Sequence, residues 1–252
     1  MALTTDNRPA GSRPVHPAPR KNMPWPLRFY RSAVGKKWVM GLTGLMLLGF
    51  VISHALGNVK MYIGPESINS YGEALRDLGG HLVPRTHILW LMRFGLIGAF
   101  GLHIHAAWSL TLMNRRSRPT KYQSKRDYVA TDFAGRAMRW TGVIVLLFVC
   151  WHLADLTWGW TMANGHEGFV RGEAYDNLVN SLSRIPVAII YIVANLALAS
   201  HLFHGVSSMF QTLGINNPRI NGIRKPVAIA VAAGVAILNT SFPLAIQFGI
   251  VA

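Results

Sequence analysis

The chain has 252 residues, 51% of them hydrophobic and only 14% charged, with a mean hydropathy of +0.27. A formal charge of +15 would suggest nucleic acid as the partner of a soluble protein, but the apolar residues are gathered into runs long enough to cross a bilayer, which excludes that class. Cys150 is the single cysteine, which excludes a disulfide within the chain and any metal site built from its cysteines alone.

Residues 1–27 are rich in Pro, Arg and Asn and too poor in apolar side chains to fold alone. They lack the apolar core of a cleavable signal peptide and read as a flexible basic tail. Residues 28–252 read as one all-α integral membrane domain, a bundle of five transmembrane helices near 38–59, 87–112, 138–163, 185–211 and 226–250. Each run offers about the 20 residues that a spanning helix needs. The residues between them read as connectors.

Positive charge marks alternate connectors. The N-terminal segment holds Arg28, Arg31, Lys36 and Lys37 besides four basic residues before position 22, and the second connector holds Arg115, Arg116, Arg118, Lys121, Lys125, Arg126 and Arg136. The fourth adds Arg219, Arg224 and Lys225. The first connector balances Lys60, Arg76 and Arg85 against Glu66, Glu73 and Asp77, and the third balances Arg171 and Arg184 against Glu167, Glu173 and Asp176. Positive-inside patterning then places the N-terminus in the cytoplasm and the C-terminus outside, in a multi-pass protein of the cell inner (plasma) membrane.

Four histidines, His54, His103, His152 and His201, fall inside the first four apolar runs at intervals of 49 residues. Ionisable groups are costly in hydrocarbon, so each is a functional candidate, and together they suggest metal ligation on a helical scaffold. At about 1.5 Å per residue, His54 and His152 sit roughly 24 Å from the inner end of outward-running helices, and His103 and His201 roughly 15 Å from the inner end of inward-running ones. His54 is thus expected to pair with His152 in the outer half and His103 with His201 in the inner half. A b-type haem needs one imidazole on each side of its iron, and this arrangement supplies that twice. Glycines at 41, 44, 49, 57, 95, 98, 101 and 205 offer room for a macrocycle or simply for close helix packing.

Other buried polar groups admit weaker readings. His105 and His204 read equally as substitute ligands or as interfacial side chains. His87 reads as interfacial, as do Trp25, Trp38, Trp158 and Trp160. Arg93 and Asp155 lie in the outer half, where an unpaired charge is expensive, and are expected to pair with each other unless a propionate or a quinone carbonyl takes Arg93. Cys150–Trp151–His152 has the form of half a Rieske ligand set, which leaves a non-haem iron or iron–sulfur centre on the same histidines as the alternative cofactor.

Several segments, taken in order, resemble a known family. They are Ser32–Lys37 leading into Met40–Gly44; Ser53–Asn58; Leu102–His103 with Asn114–Pro119; Arg139–Gly142 with His152–Leu153; and His201–Gly205 with Ser208–Gly214. Over about residues 28–224 they resemble the single-chain, five-helix cytochrome b anchor of succinate dehydrogenase and fumarate reductase. The resemblance implies two haems on His54, His103, His152 and His201, and docking to an FAD-containing flavoprotein and an iron–sulfur subunit on the cytoplasmic side. The succinate-oxidising site belongs, on this reading, to the partner flavoprotein. Some members carry a glutamate two positions before the fourth ligand; Ala199 stands there in this chain, which argues against such a transmembrane proton route.

Two functional classes follow. The first is the membrane anchor and electron-transfer subunit of a succinate:quinone oxidoreductase (respiratory complex II), which passes electrons from the iron–sulfur partner to menaquinone or ubiquinone. Lipid surrounds it, nucleic acid is not expected, and a higher oligomer of the complex is left open. Its quinone site would use Arg93 and Asp155 on the outer side, or Ser32, Arg31 and Trp38 on the inner side. The second class is a transporter or proton channel with an intramembrane His/Arg/Asp relay, although such proteins tend to interrupt their helices near the midplane.

Overall fold

The computed structural model describes residues 23–117, 133–161, 168–215 and 217–251. Most of the expected tail, the basic residues Arg118, Lys121, Lys125 and Arg126, the side chain of Arg136, and Glu167 lie outside the described residues. Regular structure among the described residues is entirely helical: α1 (Trp25–Arg31), α2 (Ala33–Asn58), a 3-10 turn (Val59–Tyr62), α3 (Pro65–Arg76), α4 (His87–Arg116), α5 (Phe133–Leu156), α6 (Ala174–Leu182), α7 (Ile185–Thr212) and α8 (Pro218–Gln247). Five of these, α2, α4, α5, α7 and α8, are long and apolar enough to cross a membrane. Their outward faces are apolar, with Leu91 and Ile237 more than 70% exposed, as a bundle solvated by lipid tails requires. The chain is a multi-pass membrane protein.

The helix ends depart from the hydropathy runs for local reasons. α2 begins at Ala33 rather than 38, and α8 at Pro218 rather than 226, because Ser32 and Asn217 cap these helices and backbone hydrogen bonding continues through the basic turns that follow. α5 stops at Leu156 rather than 163. There the Thr157 and Trp158 amides both donate to the Leu153 carbonyl, and Gly159 takes a positive φ of 67° with Phe169 pressed against its Cα, so the apolar run turns out of the helix. The expected tail boundary at residue 27 falls inside α1.

Ser32 joins α1 to α2. Its hydroxyl donates to the Phe29 carbonyl at 2.7 Å and accepts the Gly35 amide at 2.9 Å, so one side chain ends one helix and caps the next. Any Cβ at position 35 would lie 2.0 Å from the Phe29 oxygen, so only glycine permits this corner. Asn217 caps α8 in the same way, accepting the Ile220 amide at 3.0 Å.

The connectors expected between spans contain structure. Amphipathic α3 and α6 pack on each other and close one end of the bundle over a core of Met61, Ile68, Leu182, Tyr191, Phe242 and Ile246. α2 pairs closely with α4, α5 with α7, and α7 with α8. A polar ladder holds the last pair: the Asn239 amide donates to Asn195 Oδ1 at 2.9 Å, and the Asn195 amide donates to the Tyr191 carbonyl at 2.8 Å. α8 carries Pro226 and Pro243 within its length, which neighbouring helices make tolerable in a membrane.

Candidate functional site

His103 on α4 and His201 on α7 face each other with ring centroids 6.5 Å apart and ring planes at 67°. His103 Nδ1 lies 3.1 Å from the Met40 carbonyl oxygen and 3.3 Å from Thr43 Oγ1. His201 Nδ1 lies 3.3 Å from Thr141 Oγ1, whose own proton is donated to the Met138 carbonyl at 3.0 Å. The Met40 carbonyl and the committed Thr141 hydroxyl can only accept, so the Nδ1 of each ring carries the proton and Nε2 keeps its lone pair. Beside each imidazole stands a glycine where a Cβ would crowd Cε1: Gly44 at 3.3 Å from His103 and Gly142 at 3.4 Å from His201.

His54 on α2 and His152 on α5 form the second pair, with centroids 5.9 Å apart and planes at 83°. Phe50 stacks on His54 at 5.3 Å, and Phe148 lies 5.7 Å from His152. His152 Nδ1 is 3.3 Å from the Tyr191 hydroxyl. The Asn58 amide stands 3.4 Å from His54 Nε2, a long contact for a hydrogen bond.

Each pair sets two imidazoles close enough that they would hold one iron between them. Metal–nitrogen bonds of about 2 Å on either side, plus the distance from each nitrogen to its ring centre, put such centroids roughly 6.3 Å apart. The observed 5.9 and 6.5 Å bracket that value. The donor chemistry also fits, since two neutral imidazoles per centre are the ligands a low-spin b-type haem takes. Among the described residues no group of three or more His, Cys, Asp or Glu side chains converges on a point.

The two halves of the chain build these pairs by the same plan. Met40, Thr43, Gly44, His54 and His103 recur 98 residues later as Met138, Thr141, Gly142, His152 and His201, with the Thr–His distance 3.3 Å in both halves. Each half is therefore a helix pair whose first member carries the Thr–Gly cradle and one of the four histidines, and whose second carries the histidine that the cradle holds.

The remaining candidates are placed differently. His105 points away from His103 and meets Tyr30, whose hydroxyl is 2.6 Å from its Nδ1 and whose phenol is held above the usual tyrosine range by burial. His204 is part-buried, one turn along α7 from His201. Cys150 is exposed on α5 and lies two residues from His152, so on an intact helix the two side chains project in nearly opposite directions and do not converge as a Rieske half-site.

Arg93 and Asp155 do not pair. Arg93 is exposed on α4 with its guanidinium 4.9 Å from the Trp90 ring centre, at the rim of an open groove lined by Thr86, His87, Trp90, Leu91 and Phe94. Asp155 has no exposed surface, and its partner is Arg184, whose Nη2 donates to Oδ1 at 2.9 Å. Thr161 also donates to Oδ1, while Ser181 and, at 2.8 Å, Tyr191 donate to Oδ2. With both oxygens doubly bonded, the carboxylate is closed to a direct quinone contact.

On the basic side, Ser32 is occupied by its capping role and Arg31 reaches toward Met23 Sδ at 3.9 Å, while Trp38 is 40% exposed. Lys36, grouped with the basic surface from sequence, is buried: its Nζ donates to the Tyr30 carbonyl at 3.1 Å and lies over the Tyr30 ring. Arg28, Arg31 and Lys37 remain exposed.

Hydropathy gave no reason to select Tyr191, Arg184, Thr43 or Thr141. The available signal was the Thr–Gly pair recurring at the same 98-residue offset as the histidines.

Residues 112–240, just over half of the chain, match the family model described as Succinate dehydrogenase/Fumarate reductase transmembrane subunit. No curated protein and no solved structure matches the chain.

Proposed function

The chain belongs to the succinate dehydrogenase/fumarate reductase transmembrane subunit family, and from that premise we propose that it carries electrons from an iron–sulfur partner to membrane quinone through two b-type haems. The two facing imidazole pairs carry this reading, since each sets two rings with centroids 5.9 or 6.5 Å apart, room for one iron between them. His103 and His201 would hold one haem, and His54 and His152 the other, through Nε2. When bound, each haem supplies a one-electron couple. The chain's own groups fix the rings: carbonyl and threonine oxygens orient His103 and His201, and Tyr191 orients His152.

The exposed cations Arg28, Arg31 and Lys37, with Arg115 and Arg116, lie on the face read as cytoplasmic and would meet the iron–sulfur subunit, the flavoprotein standing beyond it. Quinone would bind at Arg93 on the opposite side, beyond both haems, or at Ser32, Arg31 and Trp38 near the electron source. The transporter alternative needs a relay of the intramembrane histidines with Arg93 and Asp155, and Arg93 and Asp155 have separate partners.

A reduced-minus-oxidised optical spectrum of the purified complex tests the proposal. Two low-spin b-type components are expected. A spectrum without haem bands from active, fully metallated complex would overturn it in favour of a non-haem iron or iron–sulfur centre.

A further inference from the structure

We infer that Tyr191 and Asp155 are positioning residues that pass a buried negative charge to His152 and thereby set the reduction potential of the centre held by His54 and His152. This inference rests on the haem reading above.

The direction of each hydrogen bond is determined. Tyr191 has one hydroxyl proton and donates it to Asp155 Oδ2 at 2.8 Å. Toward His152 Nδ1, 3.3 Å away, it can then only accept, so Nδ1 carries a proton and Nε2 is left as the ligand atom. The chain runs from imidazole N–H to phenol to carboxylate, an extended form of the carboxylate–histidine pairing that raises a metal-bound imidazole's basicity.

The carboxylate is buried and held in place by four donors. Asp155 has no exposed surface, and Arg184, Ser181, Thr161 and Tyr191 fill its acceptor sites. Arg184 is itself fixed, donating from Nη1 to the Thr161 carbonyl at 2.8 Å and from Nε to the Ser181 carbonyl at 3.2 Å. A pin between helices would need no such alignment on a ligand's ring nitrogen. The other pair contrasts with this arrangement, since His103 and His201 meet only neutral carbonyl and hydroxyl oxygens at Nδ1. Although the halves share the same ligand positions, only one of them couples a ligand to a carboxylate.

A more basic imidazole favours the oxidised metal, so removing the relay should make that haem easier to reduce. The test is a spectroscopic redox titration of the purified complex as wild type, Tyr191→Phe and the double variant Asp155→Asn/Arg184→Gln. Tyr191→Phe is expected to retain both haems while shifting the reduction equilibrium of one of them, the component missing from His152→Ala complex, about tenfold toward the reduced form, or ~59 mV for one electron. The other component should not move. The double variant Asp155→Asn/Arg184→Gln, which removes both charges of the pair and leaves neither buried alone, should shift the same component in the same direction and provides the reading if Tyr191→Phe does not assemble. Two haems with unmoved potentials in these variants would overturn this inference alone, as would equal shifts of both. A wild-type complex without haem would overturn the cofactor reading and this inference with it.

Discussion

His103 Nδ1 lies 3.1 Å from the carbonyl oxygen of Met40, three residues before the threonine that also reaches it, and His201 Nδ1 stands at the same 3.3 Å from Thr141 in the second half of the chain. An exposed helix carbonyl and a threonine one turn on form a rigid acceptor for one ring nitrogen, which aims the other nitrogen across the bundle. The adjoining glycine clears the space the ring occupies.

Gly142→Val tests that clearance. A Cβ alone would stand 3.4 Å from His201 Cε1, and the two further methyl groups have to overlap the ring or push it aside. The variant complex should lose the haem of the His103–His201 level and keep the other, as read by the b-type absorbance. Gly49→Val, where no atom lies within 4 Å of an added Cβ, should keep both.

The ligand assignment predicts paired losses. His54→Ala and His152→Ala should abolish the same spectral component, and His103→Ala and His201→Ala the other. Retention of the second component in His201→Ala complex would move the fourth ligand to His204.

Arg184→Leu should destabilise the protein strongly. It removes the cation from a carboxylate with no exposed surface, a change of the kind that costs about 3–5 kcal/mol when a buried pair is broken. Thermal denaturation of the detergent-solubilised complex should show a clearly lower midpoint than Arg93→Leu, whose guanidinium lies exposed over Trp90.

Docking and quinone binding need separate tests. Arg28→Glu with Arg31→Glu should release the soluble subunits from washed membranes, and retained subunits with normal succinate oxidation would refute direct docking. Lys36→Ala should act differently, by loosening the α1–α2 corner, because its ammonium is already spent on Tyr30.

For quinone, Arg93→Leu is expected to lower succinate-driven quinone reduction several-fold with dye reduction unchanged. Ser32→Ala carries its own cost of about 1 kcal/mol as a lost helix cap. Ser32→Thr, which keeps the capping oxygen, is therefore the control. Loss of quinone reduction in both Ser32 variants with Arg93→Leu unaffected would place the site on the basic side.

Depth along the membrane normal was legible from the sequence because it is a one-dimensional quantity. Apolar run length gave the five spans, and a constant rise per residue turned the 49-residue histidine spacing into two levels that the tertiary structure fills with His54 beside His152 and His103 beside His201. Family resemblance was legible too, since its motifs are local and ordered along the chain. Rotation about each helix axis was not legible, and rotation selects partners at a given depth. Arg93 and Asp155 were expected to pair by depth, yet α4 turns Arg93 outward onto Trp90, while Arg184, at the N-terminal boundary of α7, reaches Asp155 on α5. Lys36 likewise counted as surface charge until the α1–α2 corner folded Tyr30 beneath it. Hydropathy reports how much of a helix prefers lipid; which face meets which neighbour is decided only when the helices pack.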